Sequence, residues 1–431
     1  MFKIANCEIN KPIKFKFYTM DEKMRLLIIG KVWPEPDSSA AGSRMMQLIR
    51  FFKSEDWKVT FACAAKESNF SVNMQEYDVE KVPVVLNDPG FDSFISGLKP
   101  GAVVFDRFMT EEQFGWRVAE QCPGAIRILD SEDLHCLREG RRTALKENRE
   151  LTQKDLMNET AKREIASIFR CDLSLIISEF EMNLLKEFFD IDPALLLHLP
   201  FMLGRIEKDK IEKLPSFSSR SDFVSIGNFL HGPNRDAVHY LKQKIWSQIR
   251  KHLPDAKLLV YGAYPSQKVE NLHQPADGFI VKGRAEDAKE VIRNARVMIA
   301  PLRYGAGLKG KLIEAMQCGT PSVTTSVGSE SMHGNLPWAG FVADDPAGFA
   351  DKAVRLYSDQ SEWEKRQRNG FRIINEIFDG IAAGEKLMMR ISDLLQNIEE
   401  HRLKNFTGAM LMHHTMRSTK YMSKWIEEKN R

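Results

Sequence analysis

No stretch of the 431-residue chain approaches the roughly 18 uninterrupted apolar residues that a membrane-spanning helix needs, so the sequence does not read as an integral membrane protein. The first residues, MFKIANCEINKPIKFKF, are broken by charges and lack the apolar stretch of a secretory signal. Cysteine is sparse: Cys7, Cys63, Cys122, Cys136, Cys171 and Cys318 are scattered with no CxxC pair. They read as buried thiols of a reducing compartment and not as a zinc or disulfide framework. A charge excess is missing as well, with 62 basic against 59 acidic residues, which argues against a nucleic-acid partner. What is present is ordinary for a globular chain: 43% hydrophobic and 28% charged residues, in a length that suits two or three domains.

Residues 1–23 carry no long periodic run and read as an extension, with KFKFYT as a candidate extra edge strand. From 25 the chain alternates short apolar runs with amphipathic stretches. Strands are expected over 25–30, 58–63, 82–86, 102–105, 126–129 and 173–177, with a closing apolar run at 195–200. A loop rich in Pro, Ser, Ala and Gly (33–42) precedes a helix carrying Met45, Leu48, Ile49 and Phe52, and Ser178-Glu-Phe-Glu181 is a capping box. The polar segment 204–221 reads as a linker. The alternation then restarts with strands at 223–226, 257–261, 279–281, 297–300 and 322–325, and helices at 234–252, 286–295 and 310–318. Such alternation implies parallel sheets covered by helices on both faces. We therefore expect two Rossmann-like, doubly wound α/β domains, 24–203 and 222–370, facing each other across a ligand cleft. Helices over 371–431 would cross back to the first domain. The segment 401–431 holds seven Lys and Arg against two Glu, a basic tail able to make peripheral contact with an anionic membrane.

The most informative stretch is Ala300-Pro-Leu-Arg-Tyr-Gly-Ala-Gly-Leu-Lys-Gly-Lys-Leu-Ile-Glu-Ala-Met316, where a strand ends, a glycine turn follows and a helix begins. Amides at a helix start and the positive end of its dipole form an anion site. Gly305, Ala306 and Gly307 let a phosphate approach the backbone closely, and Arg303, Lys309 and Lys311 add positive charge. Glu314, three residues after Lys311, projects from the same helix face and suits two ribose hydroxyls. Gly305, Gly307 and Gly310 also spell a GxGxxG, with Glu330 about 20 residues on, as an NAD(P)-dependent oxidoreductase would have. That motif normally follows the first strand of its domain, whereas this one follows roughly the fourth. A P-loop is excluded because Leu312 stands where its Ser/Thr should be.

A third reading covers more of the chain. Glu314-Ala-Met-Gln-Cys-Gly-Thr-Pro-Ser-Val323 resembles the EAMxxGxPVV signature of the group-1, family 4-like retaining glycosyltransferases, which have a GT-B fold. Segments in that family's order surround it: Ile226-Gly-Asn-Phe-Leu-His-Gly-Pro-Asn234, Pro254–Gly262, Val281-Lys-Gly283, Asn294–Leu302 and Val327-Gly328. In the first half, Asp130-Ser-Glu-Asp-Leu-His135 with Arg138 resembles an LDxxDLHxLR segment, and Cys171–Ser178 resembles a further strand of the family.

The resemblance implies a nucleotide-sugar donor in the second domain, with Glu314 on the ribose and Gly307, Leu308, Lys309, Gly310 and Lys311 on the diphosphate. Arg303, Gly305 and Ala306 join the donor site, and Lys309 and Lys311 offset leaving-group charge. His135 is implied beside the reacting sugar, and Gly42, Arg44 and Asp133 line the acceptor side, where a saccharide or lipid-linked acceptor binds. The family's usual first glutamate falls at Ala306, a departure from its pattern. The family's Arg…Lys pair is likewise replaced by Asn228 and His231. No metal or other cofactor is expected, since cationic side chains and a helix dipole can stabilise a leaving diphosphate. Asp190-Ile-Asp192, the one triplet resembling a metal-binding Asp-x-Asp, follows a helix instead of ending a strand. The expected activity is cytoplasmic, metal-independent transfer of a sugar from a UDP- or GDP-sugar to a hydroxyl in glycan or polysaccharide assembly. The rivals are a nucleotide-sugar-binding protein without turnover and, further off, the oxidoreductase.

Overall fold

A computed structural model describes residues 24–430. The extension 1–23, with Cys7 and the candidate edge strand, lies outside the described residues. Two parallel sheets organise the chain. The first is ordered β3-β2-β1-β4-β5-β6-β7. Its strands are β1 (Arg25–Gly30), β2 (Lys58–Cys63), β3 (Glu80–Pro83), β4 (Ala102–Asp106), β5 (Ile126–Asp130), β6 (Leu173–Ile176) and β7 (Leu196–His198). The second is ordered β10-β9-β8-β11-β12-β13. It comprises β8 (Ser221–Ile226), β9 (Leu258–Tyr261), β10 (Phe279–Gly283), β11 (Ala295–Ala300), β12 (Ser322–Thr324) and β13 (Gly340–Val342).

Strands buried on both faces read as unbroken apolar runs, and Leu26, Leu27, Ile28 and Ile29 of β1 are all fully buried. In each sheet the chain reverses its order of travel at one point, between β1 and β4 and between β8 and β11. Crevices open at the carboxyl ends of strands at such reversals. The loops after Gly30, Asp106, Asp130, Ile226 and Ala300 all emerge there.

The helices that shape the cleft and its supports are α1 (Ala40–Ser54), α2 (Phe108–Gln121), α3 (His135–Lys146), α4 (Glu159–Arg170), α5 (Glu179–Glu187), α6 (Gly232–Tyr240), α7 (Gly310–Gln317) and α8 (Gln360–Ile377). They are followed by α9 (Gly380–Lys404) and α10 (Phe406–Lys429). Ser39 caps α1 by accepting the Gly42 amide at 3.0 Å, and Met45, Met46, Leu48, Ile49 and Phe52 bury its inner face. The single helix expected over 234–252 is instead α6, a π turn at Leu241–Ile245 and a further helix, Trp246–His252. Leu241, Ile245, Trp246 and Ile249 are all in the core. The segment 204–221 holds a short helix, Lys208–Glu212, and a 3₁₀ turn, Phe217–Ser219.

The chain returns to the first domain after α8. Leu203 donates to Phe378 O at 3.0 Å and accepts from Gly380 N at 2.9 Å, marking the crossing. On α9, Leu387, Ile391 and Leu394 complete the apolar layer formed by Ile28, Val104 and Ile128. Arg402 grips Asp172 at 2.8 and 2.7 Å. On α10, Ser423 and Glu427 receive hydrogen bonds from the buried Arg117 of α2.

Candidate active site

The two domains enclose a cleft of about 1350 Å³. One wall is the turn between β11 and α7. Gly307 takes a left-handed φ of 63°, and a Cβ there would lie 2.8 Å from the Cβ of Asp133, so only glycine fits this approach of the two domains. Gly310 is equally constrained, with Ala40 Cβ 2.6 Å from the place its own Cβ would take. The start of α7 therefore abuts the start of α1. The amides of Gly310 and Lys311, in the first turn of α7, meet no acceptor among the described residues, as the leading amides of a helix generally do not.

Lys309 folds back into its own turn and donates to Gly307 O at 2.5 Å, while Lys311 reaches Asn234 Oδ1 at 2.8 Å. Burial lowers both ammonium groups to about 8, opposed for Lys309 by Glu330 and for Lys311 by Glu314. Glu314 lines the same wall, and its carboxylate makes no hydrogen bond among the described residues; burial pushes that carboxyl up to about 7 against Lys289 and Lys311. A nucleoside diphosphate matches this set: two open amides and an ammonium for phosphate oxygens, and a carboxylate one helical turn away for ribose hydroxyls.

The opposite wall is the Asp130–His135 segment between β5 and α3. Its amides are held by carboxylates from two other helices. Glu164 of α4 accepts from His135 N and Cys136 N, both at 3.0 Å, and Glu181 of α5 accepts from Leu134 N at 2.9 Å. His135 packs edge-on against Phe108, with ring centroids 5.4 Å apart. Its Nε2 lies 3.5 Å from Asp133 Oδ1. Burial lowers His135 to about 3, despite Asp133, so a neutral imidazole faces the cleft at physiological pH. Burial opposes ionisation of Asp133, but Arg138 and His135 outweigh it and hold that carboxyl well below the usual range. His231, from the second domain, is likewise lowered by burial, to about 4.

The structure thus brings Gly42, Asp133, His135, Gly305, Ala306, Gly307, Leu308, Lys309, Gly310, Lys311 and Glu314 to one cleft. Two expected residues lie elsewhere. Arg303 turns away onto the outer face, where it forms a two-pronged ion pair with Asp236 and stacks over Tyr240. An acidic residue on α6 outcompetes the cleft for its guanidinium. Arg44 is buried beneath the first sheet's edge of the cleft, bound to Asp130 at 3.1 Å and to Leu199 O at 2.7 Å. It stabilises the strand ends and does not face the cleft. Glu330, the acid an NAD(P) site would need, is taken by Arg141 of α3 through contacts of 2.9 and 2.6 Å. Asp192 caps a short turn by accepting Ala194 N at 2.8 Å.

Three residues at the cleft escape notice in the sequence. Arg141 donates to Gly305 O at 2.8 Å as well as to Glu330, tying α3 to the glycine turn. Glu181 Oε1 accepts Gly307 N at 2.8 Å in addition to Leu134 N, so one carboxylate joins both walls. Only its place in the capping box marks it in the sequence. Glu132 lines the cleft in the middle of the acidic run, with a left-handed φ of 61°.

The description "Glycosyl transferases group 1" matches residues 220–359. An uncharacterized 44.6 kDa protein in the cps region of Klebsiella pneumoniae is 26% identical over 161 residues, 36% of this chain. The match spans 42% of that relative's length. Among solved structures, sucrose-phosphate synthase from Thermosynechococcus elongatus aligns with a TM-score of 0.65 at 16% identity, covering 86% of this chain and 99% of that one. Anabaena HepE in complex with UDP-glucose aligns at 0.62 and 12% identity, covering 86% and 100%. These likenesses place the chain in the GT-B fold.

Proposed function

Taking the group 1 glycosyl transferase domain at residues 220–359 as premise, we propose that the protein is a retaining, metal-independent glycosyltransferase acting in the cytoplasm. It moves a sugar from a UDP- or GDP-sugar to a hydroxyl of a saccharide or lipid-linked acceptor in polysaccharide assembly. The observation that carries the reading is the convergence of Gly310, Lys311 and Glu314 on one wall with His135 and Asp133 on the other. UDP and UDP-glucose bound to HepE, and the cps region in the name of the Klebsiella relative, support the donor class and the setting.

In this reading the bond between the sugar's anomeric carbon and the diphosphate oxygen breaks while the acceptor oxygen bonds to that carbon on the same face. The acceptor proton passes to the departing phosphate oxygen. Negative charge developing there meets the open amides of α7 and the ammonium of Lys311. The neutral ring of His135 offers a hydrogen bond to a sugar hydroxyl without adding charge. In this reading these groups take the part at the diphosphate that a metal would otherwise play. On α10, Phe406, Met410, Tyr421 and Trp425 are exposed together with Arg417 and Lys424, which supports peripheral contact with an anionic bilayer near a lipid-linked acceptor. No helix of the described residues is long and apolar enough to cross a membrane.

Nucleotide release from UDP-glucose, UDP-N-acetylglucosamine and GDP-mannose tests the reading. Turnover of at least one donor, lost in His135→Ala and Glu314→Ala, is expected. Ala306, where the resembled family carries a glutamate, favours a second reading in which the pocket binds a nucleotide-sugar without turnover. Tight nucleotide binding with no release from any donor would select that alternative.

A further inference from the structure

The charged floor of the first domain is not used up by the transferase reading. At the carboxyl ends of the adjacent strands β4 and β5, two non-glycine residues, Arg107 and Glu132, hold left-handed backbone conformations, with φ of 71° and 61°. Strain of this kind is kept where the surroundings hold a side chain in a needed place. Glu132 is only 7% exposed, yet it borders the cleft. Among the described residues its Oε1 is buried with no hydrogen-bond partner, and the same holds for Asp106 Oδ1 and Asp130 Oδ2. Asp106 Oδ1 lies 3.6 Å from Arg107 Nε, and the fully buried Asp130 does not line the cleft, which leaves Glu132 Oε1 as the orphaned carboxyl oxygen beside it. A buried polar atom is rarely left without a partner, so this one calls for a donor from a ligand.

Around Glu132 stand Asp130 and Asp106, which oppose its ionisation, and Arg107 and Arg44, which favour it. Burial dominates and pushes the Glu132 carboxyl up to about 8. Lys31 lies at the same end, its amide donating to Asp106 Oδ2 at 3.0 Å. The four carboxyl groups Asp106, Asp130, Glu132 and Asp133 are thus matched by Lys31, Arg44, Arg107 and Arg138. The open hydrogen-bonding atom of Glu132 at the cleft suits a hydroxyl of a polyhydroxylated ligand.

We propose that Glu132 is a saccharide-binding residue, its unpaired Oε1 receiving a ring hydroxyl of a neutral pyranose at the first-domain side of the cleft. The inference rests on the transferase reading for the identity of that pyranose as acceptor, and on the geometry alone for its place. As a neutral acid, Glu132 presents one donor and one acceptor, which an amide reproduces.

The test is saturation-transfer NMR of glucose, galactose, mannose, N-acetylglucosamine and rhamnose on the full chain, with UDP and GDP binding followed separately by calorimetry. At least one sugar is expected to bind wild-type protein, with affinity within about threefold in Glu132→Gln and more than tenfold weaker in Glu132→Ala and Glu132→Gly. The glycine variant keeps the test clear of misfolding, because glycine accepts the left-handed backbone freely and its melting temperature should equal or exceed that of wild type. Sugar binding that survives in Glu132→Gly, or that is absent from wild type, overturns the proposal. A glutamine variant as weak as the alanine variant overturns the neutral-acid role. Absence of UDP and GDP binding would strike the transferase reading alone, leaving a Glu132-dependent sugar site standing.

Discussion

The side chain of Glu181, on the first domain, accepts the main-chain amide of Gly307, on the second, at 2.8 Å. The same oxygen accepts Leu134 N at 2.9 Å, and Ser178 Oγ donates to the other oxygen at 2.9 Å. Glu181 is fully buried and burial raises its carboxyl to about 7. Replacing it with alanine orphans two buried amides, each worth about 1–3 kcal/mol. Glu181→Ala should lower the urea midpoint accordingly, and Glu181→Gln, which keeps the accepting oxygen, should stay close to wild type.

Lys311 is expected to govern nucleotide affinity. Loss of a charge-assisted hydrogen bond costs about 1.5–3 kcal/mol, so Lys311→Ala should weaken UDP or GDP binding roughly ten- to hundredfold in calorimetry. Arg303→Ala should leave that affinity unchanged, because Arg303 is paired with Asp236 outside the cleft. A loss on Arg303→Ala comparable with that on Lys311→Ala would contradict the placement.

The pH dependence follows from the same ammonium. In the free protein burial lowers Lys311 to about 8, and a bound diphosphate favours its protonated form, raising that value. Below pH 8 the lysine proton is already in place and Lys311 adds no pH dependence, while protonation of Glu314 near pH 7 should weaken the ribose contact at the low end of the range. As pH rises through 8 the free lysine loses its proton and affinity should decline, by up to about tenfold per pH unit for one coupled group. Titrations from pH 6.5 to 9.5 should show this bend in wild type. Lysine 309 titrates in the same range, so Lys311→Ala should reduce the bend and not abolish it.

Arg141 and Glu330 form the second tie between the walls, with Arg141 also resting over Phe180 at 5.0 Å. Both side chains are mostly buried, 12% and 20% exposed, so the pair should couple by about 0.5–3 kcal/mol in a double-mutant cycle of Arg141→Ala and Glu330→Ala read by urea unfolding. A coupling energy of zero would show that each residue acts alone.

Much of the fold is written in the order of apolar runs. Parallel strands enclosed on both faces have no polar alternation, so β1, β4, β5 and β11 stand out, whereas β13 spans only Gly340–Val342 and leaves no run to read. The glycine turn is legible for a similar reason, since Gly307 and Gly310 are imposed by close approach of Asp133 and Ala40. Charged residues are different, because their partners are decided by tertiary packing. Nothing local to Arg303 announces Asp236, and nothing local to Arg44 announces Asp130. Glu181 and Arg141 act across the cleft, over separations of 126 and 189 residues, beyond the reach of any helix-scale pattern. Glu132 is hidden in a run of neighbouring acids, and only its backbone conformation and burial single it out.

The return of α9 has a bearing on how the protein comes to be folded during synthesis. Leu387, Ile391 and Leu394 belong to the same apolar layer as Ile28 and Val104, yet they are translated after the whole of the second sheet. The domain that leaves the ribosome first is therefore the one that must wait, with the part of its sheet that α1 does not cover left open, until nearly the last helix has emerged. The second domain, whose layers draw on residues 223–378 together with Ile177 and Phe201, already translated by then, is free to fold in the interval and bring the closing helix to its place.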